Sequence, residues 1–144
     1  MNAEKAIQNF RSGLNCAQSV LATYSSRFGM DENAALTVSC GFGAGMGRLQ
    51  ETCGAVTGAF MVIGVHVGKQ YPENSMRKSV SYKLIQDFEA EFTKMNKSIK
   101  CMDLINVDLR TDEGQKQFSE RMLGTKVCEK CIANATEIID RLIK

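Results

Sequence analysis

Apolar residues recur every three to four positions along nearly the whole of this 144-residue chain. That spacing fits helices packed on helices. Met76, Val80, Leu84, Phe88, Phe92 and Met95 form the longest stripe, on a helix expected to open at Pro72. Cys16, Val20, Tyr24 and Phe28 repeat the spacing on a helix capped by Asn15 and ended by Gly29. Ala3, Ala6, Ile7 and Phe10 make a shorter face before Gly13, and Asp31 can cap a third helix running to about Ser39. After a mixed segment from Cys101, a polar helix is expected from about Asp112 to Met122. Gly124 breaks it, and Thr125 caps a last helix whose face carries Cys128, Cys131, Ile132, Ala135, Ile139 and Leu142. The chain has one proline and no run of alternating β-branched residues, so no sheet is expected. The fold class that follows is an all-α bundle of five to seven helices, one domain over residues 1–144.

The segment from Gly41 to Val67 distinguishes this bundle from a generic one. A glycine-rich loop, Gly41-Phe42-Gly43-Ala44-Gly45-Met46-Gly47, leads into an apolar helix expected to begin between Arg48 and Thr52. Gly54, Gly58 and Gly64 interrupt that helix, each at a cost of about 1 kcal/mol relative to alanine. Small residues at 54, 55, 58 and 59 offset the cost by letting another backbone or a ligand come close, which marks this as the candidate central helix. The loop is no nucleotide cradle: it lacks the Gly-x-Gly-x-x-Gly register, a following Gly-Lys-Ser/Thr and a preceding strand. The apolar run from Cys53 to Val67 is shorter than a membrane span, which needs roughly 20 residues, and it contains His66.

A formal net charge of +2, with no basic run interleaved with aromatics, argues against nucleic acid or an anionic membrane as partner. The N-terminus opens into an amphipathic pattern rather than a secretory signal, so a cytoplasmic protein is expected. Six cysteines are many for such a chain. Structural disulfides are uncommon in a reducing compartment, and the set therefore points to redox chemistry or metal binding.

Cys53 falls at the start of the apolar helix, where exposed amides and the positive end of the helix dipole favour thiolate. Cys16 lies directly after a cap and shares that advantage. Cys128 and Cys131 form Cys-x-x-Cys, with both sulfurs on one face for a disulfide or a shared metal. The thioredoxin-like version of that motif needs a βαβ context absent here, and apolar packing of Cys131 is an equal alternative. Cys101 and Cys40 carry no decisive local signal. His66 is the lone histidine, on an apolar helix, and the methionines at helical spacing read as core filler.

With these residues assembled, the chain resembles the C_GCAxxG_C_C family of redox-active proteins over nearly its whole length. The resemblance rests on Gly13 to Val20, Gly41 to Arg48, Glu51 to Gly58 with its Cys-Gly-Ala-x-x-Gly core, Cys101 to Leu104 and Cys128 to Ile132. It implies that Cys16, Cys53, Cys101 and Cys128 are the working cysteines, with Cys40 and Cys131 as extras of this sequence. The expectation is then a small redox protein whose four cysteines converge. In one version Cys53 attacks and Cys16, Cys101 or Cys128 resolves, with electrons from a redox partner protein. In a second, the four thiolates hold an iron–sulfur cluster or a zinc ion. The competing class is a helical interaction module, able to assemble as a homo-oligomer, with cysteines as filler.

Overall fold

The computed structural model describes residues 1–144 as eight α-helices and no strand. They are α1 (Asn2–Arg11), α2 (Cys16–Ser25), α3 (Glu32–Ser39), α4 (Gly54–Gln70), α5 (Asn74–Asn96), α6 (Cys101–Ile105), α7 (Asp112–Glu120) and α8 (Glu129–Leu142). Short 3₁₀ turns at Ser26–Phe28 and Cys40–Phe42 extend α2 and α3. The all-helical expectation holds, and the count exceeds five to seven because Cys101–Ile105 is a helix of its own. Its first turn is supported by two long-range bonds, Cys101 N–H to the Glu51 carbonyl (2.6 Å) and Met102 N–H to the Gln50 carbonyl (3.1 Å). Asn106, at φ 53, then ends it. No helix is long and apolar enough to cross a membrane.

Local chemistry fixes the helix starts near the site. Asn15 forms a capping box for α2: its side chain accepts from Gln18 N–H (2.9 Å), and the Gln18 side chain accepts from Asn15 N–H (3.0 Å). Asp31 caps α3 through Ala34 N–H (2.9 Å). Helix α4 starts at Gly54 with Cys53 at its N-cap position, two residues beyond the range read from the sequence. Pro72 lies outside α5, which begins at Asn74 after Glu73. Thr125 caps nothing. Gly124–Cys128 form one turn of wide π-helix that runs straight into α8.

The main core is built where α2 packs on α4, with α5 and α8 against α4 and α1 against α8. Tyr24 on α2 donates to Asp140 (2.8 Å) on α8, and Phe60 on α4 meets Phe88 on α5 edge-on at 5.8 Å. The α5 stripe is buried only in part. Phe88 and Phe92 are buried, Val80 and Leu84 are partly so, and Met76 and Met95 are exposed. The side-chain bonds from α8 reach α5 only over its C-terminal half, at Glu91 and Asn96, so the N-terminal half lacks that cover.

The α2–α4 approach depends on Gly58. A Cβ there would lie 2.9 Å from the Ala17 carbonyl oxygen and 3.1 Å from the Val20 Cβ. Alanine gains helix propensity but must push two backbones apart. Gly58→Ala is therefore expected to lower stability by about 1–2 kcal/mol in chemical denaturation. A stability equal to or above that of the native chain would show that the contact is slack.

Candidate functional site

The glycine-rich segment does not run as a simple loop. Gly43–Met46 bonds like a helical turn, yet Ala44 (φ 55, ψ 43) and Gly45 (φ 66, ψ 42) are left-handed. Met46, Gly47, Arg48 and Gln50 also have positive φ. Such residues cost of order 1–3 kcal/mol each when not glycine, and they cluster at functional sites. The turn delivers Gly45 against Cys101: a Cβ on Gly45 would lie 2.7 Å from the Cys101 Cβ and 2.5 Å from the Gln50 Cα.

Beyond the turn, Thr52 and Lys100 form an isolated antiparallel bridge. Cys53 N–H donates to the Ile99 carbonyl (2.7 Å), two residues before Cys101, whose own N–H donates to the Glu51 carbonyl. Cys53 and Cys101, nearly fifty residues apart in sequence, are thereby placed side by side at the starts of α4 and α6. Gly54 brings in the third thiol: a Cβ at Gly54 would stand 2.9 Å from the Cys16 Cβ. The π-turn and the first turn of α8 present Cys128 and Cys131 from the other side. Arg11 on α1 holds that end through a two-pronged ion pair with Glu129 (2.8 and 3.1 Å).

The five cysteines open onto one cavity of about 340 Å³. Its wall is otherwise largely apolar, with Phe10, Leu104, Leu109, Phe118 and Val127, while Asn15, Arg48 and Gln115 supply the polar edge. Cys53, Cys101 and Cys131 are buried, and Cys16 and Cys128 are half-buried. Of the sequence candidates, Cys16, Cys53, Cys101 and Cys128 all line this cavity. Cys131, read as an extra, lines it too, and Cys40 is exposed outside it.

The thiols influence one another most strongly as two couples, Cys53 with Cys131 and Cys16 with Cys128. Cys131 hydrogen-bonds to Cys53, which lowers the Cys53 pKa below the ordinary thiol value against the opposing effect of burial. The amides of Ala55 and Val56, at the start of α4, lower it further. The same bond, with burial and the Cys53 charge, drives Cys131 strongly upward. Cys16 is raised by its hydrogen bond with Cys128 and then by burial. Burial pushes Cys101 up to about 12, with the charges of Cys53 and Cys128 adding to it and the Gln50 amide opposing. Cys53 is the thiol whose surroundings select thiolate, against the upward shifts of Cys16, Cys101 and Cys131. No group of three or more His, Cys, Asp and Glu side chains is arranged to hold a metal ion.

The cavity wall depends on a residue that carries no sequence signal. Gln50 is 1 % exposed. Its Nε2 donates to the Val107 carbonyl (2.7 Å), and its Oε1 accepts from Leu109 N–H (2.7 Å). It thus ties the left-handed turn to the segment after α6.

A family model described as "Putative redox-active protein (C_GCAxxG_C_C)" matches residues 14–142. The chain belongs to this family. No curated protein and no solved structure matches it. The C_GCAxxG_C_C description gives the chain a general redox role. The family name writes its core Gly-Cys-Ala-x-x-Gly, where this chain has Cys53-Gly54-Ala55-x-x-Gly58. The matched span contains all six cysteines of this C_GCAxxG_C_C chain.

Proposed function

We propose that the protein performs thiol–disulfide exchange, with Cys53 as attacking thiolate and Cys131 as the thiol that resolves it. The observation that carries this reading is the convergence of five cysteines on one apolar cavity, with Cys53 at a helix start and tuned toward thiolate. In the first step the Cys53 thiolate attacks one sulfur of a disulfide R–S–S–R′. A Cys53–S–S–R bond forms, the S–S bond breaks, and R′–S⁻ leaves. That step removes the negative charge on Cys53, and with it two of the influences that hold Cys131 protonated. Cys131 can then give its proton to the departing thiolate and attack the Cys53 sulfur. R–S⁻ is released and a Cys53–Cys131 disulfide remains. The substrate disulfide is reduced by two electrons and the protein dithiol is oxidised by two.

Cys16 and Cys128 form a second couple, nearer the surface, through which a redox partner protein can pass electrons to the inner one. A zinc or iron–sulfur centre on Cys16, Cys53, Cys101 and Cys128 draws on the same convergence. The pairwise arrangement of the thiols favours exchange.

Peptide mapping tests this reading. The reduced chain is oxidised anaerobically with diamide, and the links are read by mass spectrometry. Cys53–Cys131 and Cys16–Cys128 are expected, with Cys40 and Cys101 free. A Cys128–Cys131 link in their place would overturn the pairing. Stoichiometric iron or zinc in anaerobically purified protein, with its thiols silent to titration, would replace exchange by the metal centre.

A further inference from the structure

The depth of the inner couple restricts what can react with it. Cys53 and Cys131 are 6 % and 2 % exposed. Exchange requires the substrate sulfur to reach the attacking sulfur directly. A disulfide embedded in the surface of a folded partner cannot descend to that position, whereas a small molecule entering the cavity can. A volume of about 340 Å³ is that of a small-molecule site. The half-buried Cys16 and Cys128 remain for the protein partner, so the two couples have different clients.

The wall specifies the rest of the molecule. Phe10, Leu104, Leu109, Phe118 and Val127 call for an aliphatic body. The Asn15 and Gln115 amides are already engaged, Asn15 with the Cys40 carbonyl (2.8 Å) and Gln115 with the Leu109 carbonyl (2.9 Å). Arg48 is different. It is the one charged side chain of the wall, it is exposed, and it takes part in none of the chain's ion pairs. The left-handed turn, with Arg48 itself at φ 66, is what sets this cation at the cavity's edge. Its fork of donors suits a carboxylate.

Resting on the exchange reading above, we infer that the substrate of Cys53 is a small disulfide with an aliphatic body and a terminal carboxylate. The sulfurs lie in the cavity and the acid group lies at Arg48. For a cyclic disulfide of this kind, Cys53 opens the ring to a mixed disulfide and a free thiolate on the same molecule. Cys131 gives that thiolate its proton and attacks Cys53, so the molecule leaves as a dithiol and the protein keeps the disulfide. The molecule gains two electrons and two protons, the second proton coming from solvent.

The probes are lipoate, which carries the acid, lipoamide, which lacks it, and oxidised glutathione, which is larger and polar throughout. Each is offered in large excess to the reduced full-length chain, and Cys53–Cys131 formation is followed by acid quench and peptide mapping. The reverse step is followed with the dithiol forms on oxidised protein. Lipoate is expected to react about five-fold faster than lipoamide, the scale of a partly exposed ion pair. Oxidised glutathione is expected to be slowest. Arg48→Ala should bring the lipoate-to-lipoamide ratio close to one, and Arg48→Lys should restore most of it. A ratio unchanged in Arg48→Ala, or oxidised glutathione outrunning lipoate, overturns the inferred substrate class while leaving exchange intact. Failure of every probe and of diamide to form Cys53–Cys131 overturns the exchange reading itself.

Discussion

Replacing Cys53 with serine is expected to reduce exchange to background, a loss on the order of 10³-fold or more, without unfolding the chain. The hydroxyl is slightly smaller than the thiol and sits at the same buried helix start, so the packing around it changes little. Its pKa is far too high for ionisation at neutral pH, so the nucleophile is gone while the helix start is left in place. Release of chromophore from a small aromatic disulfide measures the rate, and circular dichroism with a thermal melt establishes the fold. Serine at Cys101 should cost much less, because burial keeps that thiol neutral up to about 12. The pH dependence has a definite sign. The Cys53 pKa is lowered, so its thiolate is present above a pKa that lies under the ordinary thiol value. The rate should hold as pH falls below about 9 and decline only as pH passes through the shifted value. Cys131→Ala removes the largest cause of that shift and should move the declining limb to higher pH. A Cys53→Ser variant that retains half the native rate would transfer the nucleophile to another cysteine.

The parts of this site legible in the sequence are those set by local chemistry. Asn15 and Asp31 announce helix starts because their side chains bond to amides three residues on. The small residues of α4 announce a close approach, and Gly54 and Gly58 do meet α2. Two thiols at helix starts could therefore be placed along the chain, at 16 and 53, whereas 101 carries no decisive local signal. Their orientation toward one cavity comes from contacts between distant segments, such as the Thr52–Lys100 bridge, which leave no periodic trace. Cys131 had a usable signal: three residues beyond Cys128, it must share that residue's helical face, and the cavity takes both. The π-turn before α8 had none, since no side chain caps it. A bundle of helices could be read from spacing alone, whereas the left-handed run at 44–50 opposes local preference at four non-glycine residues. Such a run is stable only because tertiary contacts impose it.

Gln50 is the clearest of those contacts, and Gln50→Ala is expected to lower stability by roughly 3 kcal/mol. The backbone at this position is left-handed (φ 56), but alanine and glutamine carry a similar penalty there, so that cost cancels. What does not cancel is the loss of two bonds. The Val107 carbonyl would lose a 2.7 Å partner in a buried site and the Leu109 N–H one in a partly buried site, at about 1–3 kcal/mol apiece before relaxation. The vacated side-chain volume adds a smaller amount. For a chain of this length the melting temperature should fall by roughly 10 °C. The same change should reach the chemistry. Leu109 forms part of the cavity wall, and without Gln50 the segment after α6 is no longer held to the left-handed turn. Bulky thiol reagents should then label Cys53 and Cys131 faster than in the native chain, even at temperatures where both are folded. Cys101 also loses the amide that opposes its upward shift, so its own labelling should slow or stay unchanged at alkaline pH. Opposite responses of neighbouring thiols would distinguish a loosened wall from general unfolding, which exposes all of them together. A melting temperature within a degree or two of native would mean that water or a shifted backbone replaces both bonds, and that the wall stands without Gln50.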